Sequence, residues 1–200
     1  MAITDDLQLV FKHYCDTYKE IFQDFKPWIG TKRTINEANQ VHHFLEAYKD
    51  LFPGAITWME LPIPDRNSNK KAYTARIDGF IISQMQKRII FIEAKRFSRE
   101  NKVESLKEDA IRIKRILDKI FNEDEGKLKN LDLDQYEVAT LFLADAWDKK
   151  PEIVNHLDKH LKELEVDGLT RIDKSEPCSI GEGYHLMYRL MEYSPKPCKK

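Results

Sequence analysis

Two apolar runs, Tyr73–Ser83 (YTARIDGFIIS) and Arg88–Lys95 (RIIFIEAK), are separated only by the short link Gln84 to Lys87. Ile-rich runs this close together, joined by a polar connection, predict a β-hairpin. The next two segments constrain the fold further. From Ser98 to Phe121 the apolar positions Val103, Leu106, Ala110, Ile113, Leu117 and Ile120 recur in steps of three and four, the spacing of one helix face. Glu137–Ala144 (EVATLFLA) is then nearly all apolar, as expected of a strand covered on both faces. A long helix between two such strands is the usual crossover of a parallel pair.

The flanking segments extend this α/β pattern. Asp5–Phe25 carries Leu7, Val10, Phe11, Tyr14, Tyr18, Ile21 and Phe25 at helical spacing, with Pro27 and Gly30 as its stop. A second helix is expected from Thr34, with Ile35, Ala38, Val41, Phe44, Leu45, Tyr48 and Leu51 on a broad apolar face, and Pro53-Gly54 ends it. Ala55–Leu61 alternates as a strand and Pro62–Lys71 is a polar turn. Pro151–Leu164 is an amphipathic helix and Tyr184–Tyr193 a late strand. The expected architecture is α/β: a mixed central sheet of about four to six strands flanked by helices. Residues 1–30 form an N-terminal helical extension packed on the core, 31–195 the main domain and 196–200 a disordered tail.

The chain has 200 residues, 42% apolar and 34% charged, enough to bury a core without disulfides or a structural metal. Cys15, Cys178 and Cys198 show no CxxC spacing, so a reducing compartment and no disulfide framework are expected. The N-terminus lacks the pattern of a signal peptide, and no stretch is apolar enough to span a bilayer, which favours a cytoplasmic location. Net charge is −1, but it is unevenly spread. Arg66–Arg115 holds 14 Lys/Arg against 6 Asp/Glu, a local +8 that leaves −9 for the rest. Such a segment can face phosphates, although Lys and Arg also simply solvate strand ends and helices.

Within the basic segment, three ionisable residues interrupt apolar strands. In RIIFIEAK, strand alternation puts Glu93 and Lys95 on one face with Ile89 and Phe91, and Ile90, Ile92 and Ala94 on the other. In ARIDGFII, Asp78 breaks the run in the same way, and its separation from Glu93 suits opposed positions of a hairpin. Charges in such places are costly unless they pair or hold a ligand. Two close carboxylates repel, a divalent cation relieves the repulsion, and hard oxygen donors suit Mg²⁺ or Mn²⁺. A cation there can polarise a phosphate oxygen and acidify bound water, while Lys95 can position or help deprotonate that water and offset developing charge. A structural Glu93–Lys95 pair beside a hydrogen-bonded Asp78 is the bland alternative.

Ile77-Asp78-Gly79 and Glu93-Ala94-Lys95, each in an apolar strand and followed by a long helix, resemble the PD-(D/E)xK nuclease superfamily over roughly Thr34 to Ala144. Ile77 stands where the motif's name has proline. The resemblance implies a restriction-endonuclease-like fold in 31–195 and a Mg²⁺- or Mn²⁺-dependent nuclease acting on DNA, sometimes RNA. It implies Asp78, Glu93 and the Ala94 backbone carbonyl as metal ligands and Lys95 as the catalytic lysine. A helix glutamate often joins this set. Glu37, on the face of Val41, Phe44 and Tyr48, is preferred to Glu46, which points away, although an early-turn glutamate also suits the helix dipole. Double-strand cleavage by such enzymes makes a homodimer plausible. Arg96, Arg99 and Lys107 are weak candidates for nucleic-acid contacts, and Asp109, weighed with Lys107, reads more readily as part of a solvated helix side. His42 and His43 are adjacent, and His156 and His160 lack an HExxH pattern, so neither pair reads as a metal site. Two other functions stay open: a non-catalytic nucleic-acid-binding or assembly module, and a hydrolase of a small phosphorylated compound.

Overall fold

Among the described residues seven strands form one mixed sheet, in the order β1 (Ile56–Ile63), β2 (Ala75–Ser83), β3 (Arg88–Phe97), β4 (Glu137–Trp147), β7 (Tyr184–Tyr193) and β5 (Leu169–Lys174), with β6 (Cys178–Gly181) also pairing to β7. The structure, a computed structural model, describes residues 2–25, 36–63, 75–97, 103–122, 135–147, 151–181 and 183–194. The elements run α1 (Ile3–Phe25), α2 (Glu37–Leu51), β1 (Ile56–Ile63), β2 (Ala75–Ser83), β3 (Arg88–Phe97), α3 (Val103–Asn122), β4 (Glu137–Trp147), α4 (Pro151–Glu163), β5 (Leu169–Lys174), β6 (Cys178–Gly181) and β7 (Tyr184–Tyr193). β2 and β3 form the expected hairpin, with Ser83 opposite Arg88. The α3 crossover makes β3 and β4 the sheet's parallel pair, in register from Arg88↔Glu137 to Phe97↔Ala146.

The alternation in β3 decides which core each side chain joins. Ile90, Ile92 and Ala94 pack with α1 and α2, through Phe11, Tyr14, Val41 and Phe44 among others. Ile89 and Phe91 pack on the opposite face with Leu106, Ala110, Ile113 and Leu117 of α3 and Leu157 and Leu161 of α4. β4 lies between the two layers and is buried from Val138 to Ala146, as its apolar run requires. Among the described residues no helix is long and apolar enough to cross a membrane.

Several expectations change. Among the described residues the sheet has seven strands rather than about four to six, because LTRIDK and CSIG both pair with β7. Both are short and largely half-exposed or exposed, and both carry register shifts, so neither shows clean alternation. The described part of the second helix begins at Glu37; Thr34 and Ile35 lie outside the described residues. Asn36 is extended and its side chain accepts the Asn39 N–H at 2.7 Å, which caps the helix there. Ala38 and Leu51 are exposed rather than core-facing, because the buried stretch runs only from Gln40 to Tyr48. Pro62 belongs to β1; most of the turn assigned to Pro62–Lys71, the first residues of the long helix from Ser98, and the 196–200 tail lie outside the described residues.

α2 crosses β2 closely at Gly79. A Cβ there would stand 2.6 Å from Val41 Cγ1 and 3.2 Å from Ile92 Cβ, both fully buried. Gly79→Ala should therefore cost about 1–3 kcal/mol, the usual penalty for overpacking a dense core. Urea denaturation should show a lower midpoint with an unchanged slope.

Candidate active site

The β2–β3 ladder runs to Gly79↔Ile92, and its register continued by one step opposes Asp78 to Glu93. There the ladder gives way to a side chain: Asp78 Oδ2 accepts the Ala94 N–H at 2.9 Å. The N–H and C=O of one strand residue point to the same edge. The Ala94 carbonyl thus faces the Asp78 side, where β2 no longer pairs with it.

Glu93 and Lys95 face α3, and α3 answers with opposite charges. Lys95 Nζ donates to Asp109 Oδ2 at 2.6 Å. Glu93 Oε1 is ion-paired with the Arg112 guanidinium, which also lies 3.5 Å from Asp109 and donates to the Arg76 carbonyl at 2.7 Å. Glu93 Oε2 is buried without a hydrogen-bond partner among the described residues. Glu37, the first residue of α2, completes the group from the other side: its Oε1 accepts the Arg96 N–H at 3.1 Å. Four carboxyl groups (Glu37, Asp78, Glu93 and Asp109) thus stand around two cationic side chains, Lys95 and Arg112, an excess of acids over bases.

That excess shows in the acidities. Burial, then the neighbouring Asp78 charge, pushes the Glu93 carboxyl up to about 8 against the pull of Arg112 and Lys95. Burial also raises Asp78, with Glu37 adding to the effect and the Ala94 hydrogen bond opposing it. Burial works against a charged Lys95, but the Asp109 hydrogen bond and charge outweigh it and hold the ammonium above its ordinary value. Lys95 is therefore a fixed cation at neutral pH.

No protein-family model, curated protein or solved structure matches this chain.

Among the described residues no three His, Cys, Asp or Glu side chains stand close enough to enclose a metal ion by themselves. The donor chemistry nevertheless fits Mg²⁺ or Mn²⁺. Magnesium is commonly held by one or two carboxylates, with water and substrate phosphates completing its shell. Asp78, Glu93 with its partnerless oxygen, and the carbonyl edge of Ala94 supply such a set.

The structure thus brings together Asp78, Glu93, Lys95, Ala94 and Glu37. Glu46 is exposed and pairs with Lys49 at 3.2 Å. Arg96 contributes its backbone to Glu37, and its Nε lies 3.8 Å from Asp145 Oδ2. Lys107 is exposed, and Arg99 lies outside the described residues. At about 100° per residue Lys107 and Asp109 point well apart, so only Asp109 turns towards β3. Sequence reasoning missed Arg112, Gln40 and Asp145. Gln40 Nε2 donates to the fully buried Asp145 at 2.5 Å, tying α2 to the end of β4 one turn after Glu37. Asp145 lies one residue beyond the expected Glu137–Ala144 strand, inside the observed β4.

Proposed function

We propose that this chain is a divalent-metal-dependent nuclease of the PD-(D/E)xK kind, hydrolysing DNA phosphodiester bonds with Mg²⁺ or Mn²⁺. The observation that carries this reading is the placing of Asp78 and Glu93 on adjacent strands just beyond the last ladder pair, with a buried Glu93 oxygen that has no partner among the described residues and a fixed ammonium two residues on. The group lies towards the carboxyl ends of the parallel strands β3 and β4, where open α/β sheets bind ligands. The basic Arg66–Arg115 segment that contains most of it favours a polyanionic substrate. Asp78, Glu93 and the Ala94 carbonyl would hold the cation, with Glu37 joining directly or through water. The bound cation supplies Lewis-acid polarisation of the phosphate and a more acidic water. Lys95, anchored by Asp109, orients the attacking water and offsets charge on the phosphoryl oxygens.

Calorimetric titration with Mn²⁺ tests this reading. Wild type should bind, and Asp78→Asn, which keeps the acceptor for Ala94, should bind at least about tenfold more weakly. Binding should also strengthen with pH. Glu93 is protonated below about 8, so the cation must displace that proton at pH 7 and need not at pH 9. Affinity should rise over that interval by roughly tenfold, with proton release seen only at the lower pH. Equal binding by wild type and Asp78→Asn would contradict the assignment. DNA affinity that needs no metal and ignores Asp78→Asn would point instead to a non-catalytic module.

A further inference from the structure

Arg112 is the most heavily engaged cation of the site, and its partners divide into two kinds. Asp109 and the Arg76 carbonyl hold it from the α3 and β2 side. Glu93, a proposed cation ligand, meets the same Nη2 that faces Asp109, while Nη1 is on the Arg76 carbonyl. We propose that Arg112 is a substrate ligand: it pairs with Glu93 in the absence of a cation, and turns to a phosphate oxygen of the nucleic acid once Glu93 is engaged by one. This rests on the metal-dependent nuclease reading above.

Four observations lead there. First, Glu93 Oε1 meets Arg112 while its Oε2 is buried without a partner among the described residues, so a divalent cation engaging Glu93 takes over the positive neighbour that Arg112 otherwise supplies. Second, releasing Glu93 does not release the side chain, because Asp109 and the Arg76 carbonyl still hold it beside the site. Third, the Arg112 side chain is 33% exposed and so within reach of a ligand from solvent, whereas that of Glu93 is 6% exposed. Fourth, a planar fork of five donors matches a phosphate bidentately, which Lys95, a single ammonium committed to Asp109, cannot do. Asp109 therefore serves as a positioning residue for both cations, keeping Lys95 and Arg112 on one side of Glu93.

The test separates binding from cleavage. Fluorescence anisotropy of a labelled DNA duplex is measured with wild type, Arg112→Gln and Arg112→Lys, each in Ca²⁺ and in EDTA, beside calorimetric Ca²⁺ titration of each protein. Ca²⁺ should tighten duplex binding by wild type. Arg112→Gln should bind the duplex roughly tenfold more weakly than wild type in Ca²⁺. In EDTA, where the guanidinium is held on Glu93, the two should bind alike. Arg112→Lys keeps a charge for Glu93 and loses the fork, so it remains informative if the glutamine variant melts early; it should show a smaller loss, again confined to Ca²⁺. Equal losses in Ca²⁺ and EDTA, or no loss in Ca²⁺, would overturn the exchange while leaving the nuclease reading intact. Wild type that takes up neither Ca²⁺ nor, in the titration described for the metal site, Mn²⁺ would overturn both.

Discussion

Lys95→Ala should slow metal-dependent DNA cleavage by roughly 10²–10³-fold, the range found when one preorganised stabilising group is removed from a transition state. Lys95 is about one-fifth exposed and is fixed at 2.6 Å from Asp109, so its charge is already placed before substrate arrives. Its ammonium is held above its ordinary value, and the loss should therefore appear at all pH values near neutrality rather than as a displaced pH optimum. The defect should fall on kcat, because the charge is needed most where the phosphoryl oxygens gain charge. Mn²⁺ affinity should be no weaker than in wild type, since a cation next to the carboxylates has been removed. Folding should be nearly intact, because Asp109 keeps Arg112 as a partner. Single-turnover cleavage beside calorimetry checks each part, and cleavage within twofold of wild type would remove Lys95 from the mechanism.

Asp6→Ala should destabilise the fold by about 2–3 kcal/mol, the cost of removing one charged hydrogen-bond partner from a buried guanidinium that keeps others. Asp6 of α1 and Arg88 of β3 form an ion pair with side chains only 2% and 4% exposed. Glu137, 3.1 Å from Arg88 Nε, softens the loss, but it is half-exposed and screened by solvent. For comparison, breaking the exposed Lys49–Glu46 pair should change stability by no more than about 0.5 kcal/mol. Urea midpoints measure both. Arg88 opens β3 and Lys95 lies seven residues on, about 23 Å at ~3.3 Å per residue. Asp6→Ala should thus leave cleavage per folded molecule unchanged, which separates scaffold from site.

The strands and helices that carry the site were legible because their patterns are strong. The Ile-rich runs of β2 and β3, the three-and-four spacing of α3, and the apolar β4 each dictate one answer. β5 and β6 were not legible, because an edge segment such as LTRIDK pairs by its backbone while most of its side chains stay in partial contact with water. On the site side, Asp78, Glu93 and Lys95 stood out as charges in apolar strands, and Glu37 as an acid on the buried face of α2. Asp109 and Arg112 did not, because a charge flanking an apolar helix stripe looks the same whether it meets water or a strand's carboxylate. Only the packing of α3 against β3 distinguishes the two cases. Asp145 escaped because the apolar run of β4 reads as ending at Ala144, one residue short of the acid that is buried against Gln40.

Metal-dependent phosphodiester hydrolysis at Asp78 and Glu93 stands or falls on one assay. The chain is incubated with supercoiled plasmid in Mg²⁺, in Mn²⁺ and in EDTA, with Asp78→Asn alongside. Nicked or linear product that needs the metal, is absent in EDTA and is lost in Asp78→Asn is the expected result. Intact plasmid under every condition, or cleavage that persists equally in EDTA and in the variant, would contradict it.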